Sequence, residues 1–323
     1  MRFDRRQWSV VGLIVSAMLL THYSWVDAQQ SAKVARIGFL STPSEAFRQG
    51  LRNLGYVEGK NVAFEVRASG GKAKRSVYFA NELVRLKVDV IVAGGSTNIK
   101  AAKDATSTIP IVMSGVNDPI ALGFVASLAH PGGNITGVSN LAPELSGKRL
   151  ELLREMLPRV SYVTLLAYRS IAMRTSIEEA RVAAQLLDLH LQVFEVDGEA
   201  ELEKAVAAAK KQRADALMQI EAGAFYPYQQ QIIGLAAKNR LPAIYNRRID
   251  AEVGGLMSYG LNAAERVQVV AALVGKILKG AKPADLPIEQ PTKFELVINL
   301  KTAKQIGLII PPNVLARADR VIK

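Results

Sequence analysis

The sequence contains no cysteine and only three histidines among its 323 residues. The absence of cysteine excludes disulfide bonds, thiolate zinc sites, a cysteine nucleophile and the acylated cysteine of a bacterial lipoprotein anchor. Neither His130 nor His190 has a carboxylate beside it at metal-ligand spacing. We therefore expect no metal site, no cofactor and no catalytic histidine.

The sequence motifs of common enzyme classes are missing as well. There is no G-x-S-x-G elbow, no Walker loop and no G-x-G-x-x-G after the first predicted strand. The stretch Gly94-Gly95-Ser96-Thr97 lacks the lysine of a Walker loop, and Glu178-Glu179 on a predicted helix is typical of a solvated pair. We expect no catalytic residues, although an enzyme on this scaffold stays open as an alternative.

Residues 1–28 have the pattern of a secretory signal peptide. A basic start (Arg2, Arg5, Arg6) precedes the apolar run Val10–Leu20, and Val26-Asp27-Ala28 supplies small residues for cleavage. A membrane anchor is the alternative, but the run is shorter than the roughly 20 residues of a spanning helix. We expect an exported mature protein, periplasmic and not membrane-anchored.

Removal of residues 1–28 leaves 295 residues, enough for about two domains. The net charge is +12, and such a charge would suit a nucleic-acid partner. However, the lysines and arginines are scattered and do not alternate with aromatic residues. The charge therefore predicts a basic solvated surface and no nucleic-acid binding.

Short apolar runs alternate with helical patterns along the whole mature chain. Val88–Ala93, Ile109–Met113 and Ile135–Val138 are typical of parallel strands buried on both faces, and the alternation starts again after residue 140. This predicts an α/β fold of two doubly wound, Rossmann-like lobes, with helices that include Ile120–Leu128 and Val314–Ile322. A late helix and strand suggest that the chain crosses back between the lobes. The predicted boundaries are 33–140 plus 262–286 for lobe 1 and 141–261 plus 287–323 for lobe 2.

Polar residues follow the predicted strands in both lobes. In an open parallel sheet the loops at the carboxyl ends of the strands line the ligand crevice. Ser96, Thr97 and Asn98 at a helix start suit an anion such as a carboxylate, and Asp118 suits an amine or hydroxyl. Helix capping is the alternative for these residues. Together they suit a zwitterion such as an amino acid.

Several longer stretches resemble one known family. They include FRQGLRNLGYVEGKNV, ELVRLKVDVIVAGG, the run from ATSTIPIVMSGVNDPIALGF to KRLELLREMLP, and KILKGAKPADLPIEQPTKFELVINLKTAKQIGL. The chain resembles the ABC-transporter substrate-binding proteins, a family that includes tryptophan- and tyrosine-type binders. The resemblance implies a type I periplasmic-binding-protein fold with three crossovers, closing on a small-molecule ligand for an inner-membrane ABC permease. The ligand-binding residues it implies are Ser41, Thr42, Gly95, Ser96, Thr97, Asn98, Asn117, Asp118, Ser139, Asn140, Tyr168, Glu221, Tyr245 and Asn246.

Two loops differ from the family pattern. The loop after the first strand is short, and Tyr168-Arg169-Ser170 stands where the family usually has Asn-Pro. Because both loops would face the ligand, the resemblance leaves three expected ligand classes open: an aromatic amino acid, a related acid or another small amphiphile. The expected mechanism is lobe closure without chemistry. A ligand-sensing subunit of a membrane receptor stays open beside transport.

Overall fold

The computed structural model of the chain describes residues 34–70, 72–140, 144–220, 223–290 and 292–323. The predicted signal peptide, residues 1–28, and the predicted ligand contact Glu221 lie outside these described residues. Element names below follow chain order within the described ranges.

Lobe 1 is built on a parallel sheet in the strand order β2-β1-β3-β4-β5. Three helices connect its strands. The strands are β1 Ala35–Phe39, β2 Val62–Val66, β3 Val90–Ala93, β4 Ile111–Val116 and β5 Ile135–Ser139, and the helices are α1 Glu45–Asn53, α2 Ala73–Arg85 and α3 Ser96–Ala105. All four residues of β3 are buried, because helices cover both faces of the sheet.

Lobe 2 is built on a larger sheet in the order β12-β11-β10-β9-β8-β6-β7. Its β10 and β11 pair antiparallel, and its other neighbouring strands pair parallel. The strands are β6 Tyr162–Tyr168, β7 His190–Val196, β8 Ala216–Gln219, β9 Ala243–Tyr245, β10 Met257–Leu261, β11 Phe294–Asn299 and β12 Arg320–Ile322. The helices are α4 Glu144–Met156, α5 Arg174–Leu186, α6 Glu199–Lys211, α7 Gln229–Lys238, α8 Arg248–Glu252, α9 Ala263–Leu278, α10 Leu300–Ile306 and α11 Pro312–Ala316.

Helix α9 follows β10 of lobe 2 but packs on lobe 1. Its Val270 and Val274 lie in one core with Phe47 and Leu51 of α1. The next segment also stays there, since the Ile288 amide donates to the Leu128 carbonyl. The chain then enters β11 of lobe 2. Within the described ranges it therefore crosses between the lobes three times, after β5, after β10 and before β11, which confirms the predicted pair of doubly wound lobes.

The predicted helix Ile120–Leu128 is wrong. Residues 120–123 form turns, and the segment to 128 continues without a helix. Gly123 adopts a φ of +66°, in the left-handed region that ends a helical turn. The Phe124 amide returns to the Pro119 carbonyl instead of continuing a helix. This segment carries Leu122, which packs against buried cores of both lobes.

The predicted helix Val314–Ile322 is also wrong. Helix α11 ends at Ala316, and β12 pairs in parallel with β11 at the sheet edge. Asp319 directs this change, because its carboxylate accepts the Leu296 amide and its own amide donates to the Leu296 carbonyl. The edge of the sheet thus gains backbone partners that a helix would not supply.

Candidate functional site

A cavity lies where the carboxyl ends of the strands of the two lobes face each other. Its empty volume is about 370 Å³, part of it open to solvent. The lining residues are Asn117 and Asn140 from lobe 1, and Leu145, Ser146, Arg149, Ser176, Ile220, Asn246 and Leu261 from lobe 2. Three of the predicted site residues, Asn117, Asn140 and Asn246, are therefore brought together. Polar groups from both lobes share this cavity with three apolar side chains.

The lobe 1 wall of the cavity depends on an irregularity between β4 and β5. Gly115 has a φ of +115°, and the register of the two strands shifts there. A Cβ at Gly115 would lie 2.9 Å from Asn140 Oδ1, so glycine makes room for the Asn140 side chain. The Ser139 hydroxyl donates to the carbonyls of Val116 and Asn117. Ser139 therefore joins two strand ends, and Asn140 lines the cavity.

Two amide oxygens at the cavity are buried without a hydrogen-bond partner among the described residues. They are Oδ1 of Asn140 and Oδ1 of Asn246. Asn246 is only 8% exposed. Its backbone is held close to β10, since a Cβ at Gly260 would collide with the Asn246 carbonyl oxygen. Thr164 Oγ1 and Ser258 Oγ are also buried without a partner among the described residues, but only the two asparagine oxygens belong to residues that line the cavity, where a ligand can supply a donor.

Arg149 contributes a positive charge to the cavity wall. It lies on α4, is only 4% exposed, and its Nε donates to the Tyr259 carbonyl of β10 at 2.8 Å. Guanidinium groups bind carboxylates through charge-assisted hydrogen bonds. The sequence-based prediction missed this residue because it considered only strand-end loops. A signal was available, since Arg149 lies on the apolar stripe of α4 with Leu145, Leu152 and Met156.

Asp118 lies at the contact between the lobes and caps a turn. Its Oδ1 accepts the Ala121 amide at 2.9 Å, and its Oδ2 accepts the Thr175 hydroxyl of lobe 2 at 3.5 Å. Beside it, the Asn117 amide group lies 3.7 Å from Met173 Sδ, also of lobe 2. The turn after β4 therefore touches the first turn of α5 and the residues before it.

The predicted anion loop is held together by Asn98, whose amide group makes four hydrogen bonds inside lobe 1. Its Oδ1 accepts the hydroxyls of Ser69 and Ser76, both at 2.7 Å. Its Nδ2 donates to the carbonyls of Leu40 and Gly94, both at 3.0 Å. The side-chain amide of asparagine has two donors and two acceptor lone pairs, so its capacity is fully used. A direct ligand contact would have to break one of these bonds.

The remaining predicted residues of lobe 1 lie outside the cavity wall. Ser41 and Thr42 follow β1, and Gly95, Ser96 and Thr97 lie at the start of α3. Thr42 and Ser96 are exposed. They share a sheet edge with Asn117 and Asn140, and their ligand contacts stay a prediction.

Two predicted aromatic residues of lobe 2 pack within the protein. The Tyr168 ring stacks edge-on against Phe225, with ring centroids 5.7 Å apart. Tyr245 is 1% exposed in the same core. Burial raises the pKa of the Tyr245 phenol above its ordinary value, and the charge of Asp250 adds to this rise. Tyr245 thus faces the core, whereas its neighbour Asn246 faces the cavity.

Two further properties of the described residues bear on function. No group of three or more histidine or acidic side chains among them is arranged to hold a metal ion. No helix in the described part of the chain combines the length and apolar character needed to cross a membrane.

Comparisons with known proteins agree with this architecture. The tyrosine-binding protein of Clostridioides difficile (strain R20291) is 24% identical over 271 residues, which cover 83% of this chain and 77% of that protein. A conserved domain protein from Vibrio cholerae has a solved structure with 28% identity and a TM-score of 0.82, covering 90% of this chain and 100% of that chain. An ABC domain from Streptococcus pneumonia in complex with L-Trp has 26% identity and a TM-score of 0.81, covering 89% of this chain and 99% of that chain.

Type I periplasmic binding proteins share this two-lobed arrangement, so the predicted fold is confirmed. The family profile described as ABC transporter substrate binding protein matches residues 34–322, which is nearly the whole described chain. The chain therefore belongs to the ABC transporter substrate binding protein family.

Proposed function

We propose that this chain is the extracytoplasmic solute-binding protein of an ABC importer and that its interlobe cavity binds a small carboxylate-bearing molecule. The observation that carries the ligand class is Arg149, a buried guanidinium in the cavity wall. A charge at this depth suits an anionic ligand group, which interacts more strongly there than at an exposed site. Leu145, Ile220 and Leu261 supply apolar surface for the rest of the ligand.

The ligand is an amino acid or an acid with an apolar or aromatic body. Two relatives support this choice, since one is a tyrosine-binding protein and another was solved with L-Trp. The wall combines apolar side chains with a few polar groups, as small-molecule sites usually do. Because both lobes contribute wall residues, such a ligand stabilises the arrangement in which the lobes meet.

The sequence and the family support a proposal about export and partner. Residues 1–28 have the pattern of a cleaved secretory signal, and the family operates outside the cytoplasm. We place the mature protein in the periplasm, where it delivers its ligand to an inner-membrane ABC permease. The proposed role is binding without a chemical reaction, which is typical of the substrate-binding family.

Isothermal titration calorimetry tests this proposal. The panel contains L-tyrosine, L-tryptophan, L-leucine, 4-hydroxybenzoate and, as a solute without a carboxylate, ribose. We expect at least one carboxylate-bearing compound to bind and ribose not to bind. Arg149→Met should weaken that binding by about 10- to 100-fold, which corresponds to one hydrogen-bonded charge. Arg149→Lys keeps the positive charge and should lose less ligand affinity than Arg149→Met.

Arg154→Met is the matched control, because Arg154 lies on the same helix but is exposed outside the cavity. Its binding should equal that of the unmodified protein. Thermal unfolding of each variant distinguishes a loss of binding from a loss of folding. Binding of ribose alone, or unchanged affinity in the folded Arg149→Met protein, would contradict the proposal.

A further inference from the structure

The cavity wall contains two hydrogen-bond acceptors, and a ligand carboxylate bound to Arg149 would donate no hydrogen bond to them. Asn140 Oδ1 comes from the end of β5 in lobe 1, and Asn246 Oδ1 comes from the end of β9 in lobe 2. Both oxygens are buried, and neither has a hydrogen-bond partner among the described residues. Amide oxygens accept hydrogen bonds and never donate them. Two buried acceptors that line one cavity from the two lobes suit a hydrogen-bond donor placed between the lobes.

Two of the protein donors that line the cavity are directed elsewhere. The Asn117 amide group is directed at Met173 Sδ, and the Nε of Arg149 donates to the Tyr259 carbonyl. The Asn140 side chain lies close to Gly115, and the Asn246 backbone lies close to Gly260. The acceptors are thus held in place by the fold, which suits a preorganised binding site.

We infer that Asn140 and Asn246 together bind the ammonium group of the ligand, one from each lobe. This inference rests on the proposed function and narrows it, because it selects amino acids over acids that lack an amine. An ammonium has three donors and can satisfy both oxygens at once. Its positive charge strengthens each hydrogen bond.

The opposite charges of an amino acid match the two parts of the cavity. The carboxylate lies toward Arg149, and the ammonium lies toward the two amide oxygens. An acid without an amine leaves both oxygens buried and unpaired, which disfavours its binding. Asp118 is not needed for the amine, since its oxygens accept the Ala121 amide and the Thr175 hydroxyl.

Paired ligands that differ only by the amine test this inference. The pairs are L-tyrosine with 3-(4-hydroxyphenyl)propionate, L-tryptophan with indole-3-propionate, and L-leucine with 4-methylpentanoate. For the pair that contains the tightest ligand, calorimetry should show the amino acid binding at least 30-fold more tightly than its amine-free partner. In Asn246→Ala and in Asn140→Ala the ratio of the two affinities should fall at least fivefold, because binding of the amino acid weakens and binding of the acid changes little.

Asn53→Ala is the matched control, because Asn53 is exposed on α1 and its Oδ1 already accepts a bond from Gln49. Its ratio should stay unchanged. Equal binding of acid and amino acid, or an unchanged ratio in both cavity variants, overturns the ammonium assignment and leaves solute binding standing. Binding of no compound in any pair overturns the assignment and the proposed ligand class together.

Discussion

Thr175 of lobe 2 donates a hydrogen bond across the interface to Asp118 of lobe 1, with 3.5 Å between Oγ1 and Oδ2. Thr175 lies in the first turn of α5, and Asp118 lies in the turn after β4. The bond exists only while the lobes meet, so it belongs to the same conformation as the interlobe cavity. Ligand binding and this contact therefore favour the same arrangement of the lobes.

Thr175→Val should weaken ligand binding by about two- to tenfold, because valine keeps the shape and removes the hydroxyl donor. Calorimetry with the tightest ligand measures this change. Thr108→Val is the control, since Thr108 is exposed at the amino ends of the lobe 1 strands, away from the cavity. Equal affinity in the two variants would show that the contact does not contribute to closure.

Asn98→Leu should lower the free energy of unfolding by about 2–4 kcal/mol, because it removes the four hydrogen bonds of a buried amide group. Urea unfolding without ligand measures this loss. Asn81→Leu, at an exposed position of α2, should change stability by less than about 0.5 kcal/mol. A loss below about 1 kcal/mol for Asn98→Leu would mean that the four bonds contribute little.

Gly260→Ala should destabilise lobe 2 by about 1–3 kcal/mol and weaken ligand binding, because its Cβ would collide with the Asn246 carbonyl. Thermal unfolding and calorimetry record the two effects. Gly234→Ala on α7 is the matched control, since no atom lies within 4 Å of its added Cβ. That variant should gain about 0.5–1 kcal/mol from helix propensity. A fully stable Gly260→Ala protein with normal affinity would contradict the close approach of β9 and β10.

Tyr245 makes stability depend on alkaline pH. Its pKa is raised in the folded state by burial, whereas the unfolded chain titrates near about 10. The free energy of unfolding therefore keeps its full value from this phenol below about pH 10 and decreases as the pH rises further. The decrease arises because the unfolded chain then releases the phenol proton while the folded protein retains it.

Tyr245→Phe should therefore lose less stability than the unmodified protein above about pH 10, by up to about 1.4 kcal/mol per pH unit. Urea unfolding between pH 8 and 11 measures the difference. Tyr78→Phe is the control, because Tyr78 is exposed on α2. Parallel pH profiles for the unmodified protein and Tyr245→Phe would contradict the burial of this phenol.

The strands and the sheet edge that carries the site were predictable from sequence, because buried parallel strands are short and continuously apolar. The direction of each strand-end side chain was not. Tyr245 and Asn246 are neighbours at one strand end, and consecutive side chains point in opposite directions. The sequence places both at the edge, and only the packing of Tyr245 into the core assigns Asn246 to the cavity.

Local patterns also failed where tertiary contacts decide the backbone. The apolar spacing of Ile120–Leu128 suits a helix, but Gly123 ends the turn and Leu122 instead contacts both lobes. Arg149 is a different case. The sequence correctly predicted its helix, but the position of this charged residue on the apolar stripe was not used to predict a site residue. A charged residue among buried leucines is the feature that sequence reasoning could have tested.

Hydrogen–deuterium exchange with and without the tightest ligand tests the central claim, a ligand held between the two lobes. We predict that the ligand slows exchange in peptides from both walls, including residues 116–118 and 139–140 of lobe 1 and residues 144–149 and 246–247 of lobe 2. Peptides at the opposite ends of the sheets, such as residues 106–109 and 212–215, should exchange as before. Slowed exchange in one lobe alone would contradict the account.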